Sequence, residues 1–332
     1  MPRKKQQSLV EAGVSSYRSW LLASMMLGGL VLAAIHWGDV KKFAALLAQA
    51  KPIWLGVAAS LQLGTYFGLS VQWWLALRRG RSKQPIGELF RLALAKYFAD
   101  QVIPTAGVSG NVVLVDRLVR LGVSRGTAVA ALMLQVIAYY ASYALGALIV
   151  LIMLWWKSRM SMLLGGALLM FLVVAAGIPA LILSLHRRGL EKLPRWLAKW
   201  SKARDFFELI GEAPAGLIRD PKLIALMTLF NSLVFLADAA TMQACIRALG
   251  VHAPLSAGYI AFMIASIAVI LGPVPMGLGS FEAVSIAMLR LFGVGFEAAL
   301  SATLLFRGFT LWLPLLPGGL LLRKELKPAR AS

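Results

Sequence analysis

The chain has 332 residues, of which 59% are hydrophobic, with a mean hydropathy of +0.76 and a formal net charge of +20. Apolar content this far above the balance of a soluble domain excludes an ordinary globular fold. The basic residues collect in loops between apolar runs, so the charge reads as membrane topology and not as a nucleic-acid surface.

The first apolar run, 19–37, follows Arg3, Lys4 and Lys5 but has no small-x-small cleavage site after it, which predicts an uncleaved first helix. The second run, 53–77, ends in a basic loop. Residues 86–103 form a further apolar segment, followed by a turn holding Pro104, Gly107 and Gly110 and by a short return segment. Runs 127–156 and 162–185 come next, both of spanning length. Residues 186–222 carry nine Lys and Arg. Within them Leu193, Trp196, Leu197, Trp200, Phe207 and Ile210 recur at helical spacing opposite Lys192, Arg195, Lys199 and Lys202, a cytoplasmic amphipathic segment that either lies on the leaflet or packs on the protein's own loops. Run 223–246 includes the single Cys245, which excludes a disulfide framework and fits a packing role. Residues 255–271 lead into "GPVPMGLGSFEAV", a second turn with Pro275, Gly277 and Gly279, and 297–322 is the last run.

These elements predict an all-α polytopic integral membrane protein, one transmembrane domain over 1–332, with about six spanning helices and two re-entrant helical hairpins. The excess of Lys and Arg in 1–18, 78–83, 186–222 and 323–332 places both termini in the cytoplasm and 157–161 and 247–256 outside. Shifting the sequence against itself by 171 positions aligns 104–123 with 275–294, with nine identities in 31 positions when the match is carried to Leu134 and Leu305. The units 86–156 and 255–322, each a hairpin plus a helix, then enter from opposite sides, an inverted-topology repeat of the kind that builds transporters.

The short return segment from Ser280 to Phe292 amounts to about 20 Å of helix, against a hydrocarbon thickness of about 30 Å. Ser109 and Ser280 sit where N-caps are expected. Glu282, at the second position of its helix, has the neutral Asn111 as its repeat counterpart and Arg307, flanked by Thr303 and Thr310, as its expected partner. That pair reads either as a structural pin or as a lipid head-group site. Asp238, with Asn231 on its face, must meet protein or water, as a structural carboxyl or as a substrate contact. Gln135, Tyr139, Ser142 and Tyr143 form a polar stripe expected to pack helices. Lys96 with Asp100 and Asp116 with Arg120 are spaced as local ion pairs, whereas Arg117 is placed at the cytoplasmic mouth, meeting phosphate or snorkelling to head groups. His36, His186 and His252 are scattered, so no metal site is expected, and no catalytic or nucleotide motif is present, so neither a cofactor nor enzymatic turnover is expected.

At "PVPMGLGSFEAV", "LFGV" and "ATLLFRGFTLWLPLLPGGL" the chain resembles the lysylphosphatidylglycerol synthase transmembrane family, at Gly277, Gly279, Glu282, Arg307, Trp312 and Pro314. "PTAGVSGNVVLVDRL" is similar to the family's earlier Pro/Gly motif. It departs where Asn111, and not an acidic residue, follows Gly110, and where Arg117 comes late. The resemblance implies a stand-alone bacterial inner-membrane protein without the aminoacyl-transfer domain: a flippase or transporter that moves a polar lipid, aminoacylated or zwitterionic, between leaflets. Membrane lipids are the implied partners, and a lipid-biosynthetic enzyme is a second candidate partner. A small-solute or ion transporter, or a non-transporting partner of such an enzyme, are the competing functions.

Overall fold

A computed structural model describes residues 48–102, 108–188, 211, 213–272 and 277–313. Residues 50–332 make up one unit by their contacts, and the architecture is that of its described residues. In chain order the helices are α1 (Pro52–Arg79), α2 (Ile86–Val102), α3 (Val108–Arg120), α4 (Arg125–Trp156), α5 (Met162–Arg188), α6 (Pro221–Ala248), α7 (Leu255–Leu271), α8 (Ser280–Leu291) and α9 (Phe296–Arg307). A single turn, Ala215–Ile218, precedes α6, and a π-helical turn, Gly308–Trp312, follows α9.

Among the described residues, three helices are long and apolar enough to cross a membrane: Arg125–Trp156, Met162–Ser184 and Pro221–Ala248. They coincide with three of the predicted runs. The run 53–77 lies in α1, whose 28 residues also suffice in length, but α1 turns Gln62, Thr65, Ser70 and Gln72 into the protein and is less apolar for that reason. The last predicted run, 297–322, is described as far as residue 313: α-helix to Arg307, continued by the π turn. A π turn admits one more residue per turn and rotates the chain beyond it. The run 19–37, the segment at 189–210, and Pro104, Gly107, Pro275 and Pro314 lie outside the described residues.

α1 and α6 pack antiparallel along their whole length. Three polar contacts in one register join them: Lys51 N–H to Ala248 O at 2.8 Å at one end, Gln62 Nε2 to Asp238 Oδ1 at 2.6 Å in the middle, and Arg79 Nε to Asp220 Oδ2 at 2.8 Å at the other. Asp220 also caps α6, accepting from the amides of Lys222 and Leu223.

α2 with α3, and α7 with α8, are helical hairpins whose arms pack on each other. In the first, Gln84 Nε2 donates to Leu121 O at 3.0 Å, so both outer ends lie near the Arg79–Asp220 end of the α1–α6 pair. In the second, Arg159, beyond the far end of α4, donates through Nη1 to Leu291 O at 2.7 Å, while Gln243 Nε2 holds Ala253 O at 2.9 Å next to the Ala248 end. The two hairpins therefore open toward opposite ends of the α1–α6 pair.

The buried apolar side chains form two clusters. One gathers α1, α2, α3 and the first halves of α4 and α6. The other gathers the second halves of α4 and α6 with α5, α7, α8 and α9. Each cluster seats one hairpin, and α1, α4, α5 and α6 contribute residues to both. Cys245 is fully buried in the second, the expected packing role.

Candidate functional site

Both hairpins contribute to a cavity of about 230 Å³, the first through Tyr97 and the second through the end of α7 and the start of α8. α1 contributes Gln62, Thr65 and Tyr66, α2 contributes Tyr97, and α4 contributes Tyr139 and Tyr143. Asp238 comes from α6, Ser266 and Phe262 from α7, Phe281 from the start of α8, and Arg307 and Phe306 from the end of α9, with Thr310 on the π turn. An acid and a base thus share one small cavity with seven aromatic residues and a set of uncharged polar and aliphatic ones.

Each charged wall residue is held differently. Asp238 is half-buried and accepts from the neutral Gln62 amide, whose own oxygen lies 3.4 Å from the Thr65 hydroxyl. No cation among the described residues forms a salt bridge with it. Arg307 is buried, lies over the Phe281 ring at 5.0 Å from its centroid, and donates through Nε to Glu282 Oε1 at 2.7 Å. Phe281 in turn stacks on Phe306, at 5.5 Å and 8° between planes. The guanidinium is thereby fixed on two sides.

Glu282 stands behind Arg307 and not on the cavity wall. Its second oxygen, Oε2, accepts from the Gly279 amide at 2.7 Å, so both carboxylate oxygens are engaged within the protein. This corrects the expected cap: Gly279, at φ +83, is the N-cap, Ser280 is the first helical residue and Glu282 the third. Ser280 Oγ bonds back to Gly277 O at 3.1 Å, closing a turn in which Gly277 also has positive φ, at +63. A carboxylate at the third position can reach the amide before the helix, which a serine inside the helix cannot.

The first hairpin shows the same arrangement with other residues. Ser109 is the second residue of α3 and so is not its N-cap, and Asn111 is half-buried within the helix. The carboxylate comes instead from Asp100 on α2: Oδ1 accepts from Gly110 N–H at 2.9 Å, and Oδ2 pairs with Lys96 at 2.7 Å. Any side chain at Gly110 would collide with that carboxylate, since a Cβ there would run into Asp100 Oδ1. Each short return helix therefore has its N-terminus held by a carboxylate that is itself paired with a cation. Asp100 was legible only as the local partner of Lys96. Its second bond crosses the turn, and the acid at that distance in sequence carries no motif.

The other predicted residues divide. Tyr139 and Tyr143 line the cavity, 4.8 Å apart between ring centroids. Gln135 and Ser142 pack helices, accepting from Trp73 Nε1 at 2.7 Å and donating to Thr228 O at 2.9 Å. Thr303 is bonded to Ser285, away from the cavity wall, whereas Thr310 lines it. Asn231 is buried but does not line the cavity beside Asp238. Arg117 is half-buried, has a contact of its own, and is not part of the cavity wall. The Asp116–Arg120 pair forms as the spacing predicts, at 2.9 Å and exposed. Gln62, Thr65, Tyr66 and Tyr97 were missed. The polar residues of α1 at 62, 65, 66, 70 and 72, all buried, were the available signal, because one polar side on a long apolar helix must face protein or a cavity.

Among the described residues no group of His, Cys, Asp and Glu is arranged to hold a metal ion. The arrangement can hold a ligand with separated positive and negative groups, with Asp238 toward the cation and Arg307 toward the anion. No curated protein matches the chain at a significant level. The profile of the lysylphosphatidylglycerol synthase TM region matches residues 20–318, nearly the whole chain. With its long apolar helices, the chain is a multi-pass membrane protein that belongs to the lysylphosphatidylglycerol synthase transmembrane family, a membership that gives it a lipid-related role in the membrane.

Proposed function

We propose that this protein is a lipid flippase or transporter of the bacterial inner membrane, and that it holds the polar head group of its lipid in the cavity between Asp238 and Arg307. The observation that carries this reading is the cavity itself: residues from both hairpins, which open toward opposite ends, line it together with one acid, one base and a cluster of aromatic rings. Irregular backbone at membrane depth is tolerated where it lines such a cavity. The hairpins are then re-entrant and related as an inverted repeat, with both termini cytoplasmic. That orientation puts the basic loops 78–83 and 186–222 on one side, where Arg79 meets Asp220. The protein works without a cofactor and without catalytic turnover, on membrane lipids alone or beside a lipid-biosynthetic enzyme.

The head group in this reading is zwitterionic or aminoacylated, its phosphate toward Arg307 and its amine toward Asp238 and the tyrosines. Glu282 holds Arg307 in place. The test is a dithionite-quench assay in proteoliposomes with amine-bearing and purely anionic fluorescent lipids. Protein-dependent movement is expected, and Asp238→Asn should slow the amine-bearing lipid about tenfold more than the anionic one, a difference of about 1.4 kcal/mol. Absence of movement for every lipid, with solute uptake in its place, would sink the lipid reading.

A further inference from the structure

A cavity of about 230 Å³ accommodates a head group but no lipid tail, and a second feature lies on the other side of the same wall. Between α1 and α6 runs an open apolar groove of about 740 Å³. It extends from Ile53 to Val71, about 27 Å of helix at 1.5 Å per residue. Along α1 that is close to the whole hydrocarbon thickness of about 30 Å, while α6 walls the groove from Phe230 to Ala237. Its floor is open at Gly56 and Gly64, where a Cβ would meet nothing within 4 Å, and Phe67 and Leu233 stand exposed at its sides.

Groove and cavity are back to back. Leu61 and Ala237 line the groove, and the next residues, Gln62 and Asp238, line the cavity. Among the described residues, Gln62 to Asp238 is the side-chain hydrogen bond across the middle of this wall. The same two helices also carry buried polar groups: Gln72, Asn231 and Ser232 keep amide or hydroxyl atoms without a protein partner. Closed helix seams rarely leave such groups unmet. A seam that parts to pass a polar group would meet them.

We propose that an acyl chain of the transported lipid lies in this groove while its head group occupies the cavity, and that the Gln62–Asp238 contact closes the passage between the two. The proposal rests on the lipid-transport reading and adds the binding site for the tail. The groove lets the tail turn from one leaflet to the other along α1 while the head group crosses on the inner side.

Two measurements test it in the reconstituted full-length protein. Gly56→Leu and Gly64→Leu, singly and together, place side chains in the groove at positions where an added Cβ meets nothing within 4 Å, and leucine is the better helix former. Their thermal stability should match or exceed the wild type while lipid movement falls about tenfold or more. A benzophenone side chain at Phe67 should photo-label an acyl chain of the candidate lipid. That adduct should resist dilution with excess foreign lipid, whereas the same group at Leu163, exposed on α5, should exchange freely. Wild-type transport in the filled double variant, equal exchange at both positions (annular lipid only), or a Phe67 adduct to protein, whether a second copy or another segment of the chain, overturns the proposal. If the wild type itself moves no lipid, the transport reading fails, and the labelling still decides whether the groove holds an acyl chain.

Discussion

Arg307 and Glu282 illustrate how a pair can be necessary to a site without both members belonging to it. Arg307 faces the cavity, and Glu282 ties it to the start of α8. Removing one partner strands the other charge in a poorly solvated place, so Arg307→Ala should lower stability by about 3–5 kcal/mol, measured as loss of folded yield or of thermal midpoint. The double replacement Glu282→Gln with Arg307→Met should recover the fold and still abolish transport. Recovery of both would assign the pair a purely structural role. Asp238 is the contrasting case, because its partner Gln62 is neutral and no cation among the described residues forms a salt bridge with it. Asp238→Asn keeps that hydrogen-bonding capacity and should therefore fold normally, a result readable in the same thermal scan.

At the scale of single elements, the short return helices depend on the carboxylates at their N-termini. Such an acid satisfies an orphan amide and meets the helix dipole favourably. Asp100→Ala removes the cap of α3 and strands Lys96, which is only 9% exposed, so a loss of about 3–5 kcal/mol is expected from thermal unfolding. Gly110→Ala should destabilise by the same route, since the added methyl displaces Asp100. The α1–α6 pair has a softer dependence at its exposed end. The hydrogen bond from Arg79, and then the capping amide of Leu223, hold the Asp220 carboxyl below its ordinary value. A lowered folded-state pKa means stabilisation that is present above the unfolded carboxylate value, about 3.9, and lost as pH falls through the lower folded value. Thermal midpoints of wild type and Asp220→Asn, followed from pH 6 to pH 2.5, should differ at the upper end and converge at the lower. A constant difference across that range would show that Asp220 acts through its shape and not its charge.

On the scale of the whole molecule, two hairpins opening toward opposite ends meet at one cavity, and the orientation they imply is directly testable. A single cysteine at Ser158, in a Cys245→Ala background, should react only from outside, and one at Ser201 only from the cytoplasm. Reversal of either result overturns the inverted arrangement, because the hairpins would then enter from the same side or the basic loops would lie outside. The hydrogen bonds Gln84–Leu121 and Arg159–Leu291 anchor the hairpins' outer ends. Cysteines near 84 and 121 should consequently share an accessibility, and those near 159 and 291 should share the opposite one.

The apolar lengths and the loop charges were enough to establish that the chain is a helical membrane protein. The two Pro/Gly turns marked where helices break, and the Glu282–Arg307 pairing was legible because a carboxylate and a guanidinium in neighbouring apolar segments have few other ways to be solvated. Those features are local or close to it: hydropathy, turn chemistry and charge act over a few residues. Which polar residues converge was decided only by the tertiary structure. Asp238 and Gln62 are 176 residues apart and meet because α1 and α6 pack antiparallel in one register. The same packing puts an apolar groove on one side of that wall and the polar cavity on the other. The withdrawal of Glu282 from the cavity was likewise invisible in sequence, since it depends on Gly279 taking positive φ and turning its amide toward the carboxylate. Partners far apart in sequence are selected by helix packing and rotation, and neither leaves a periodic trace in the chain.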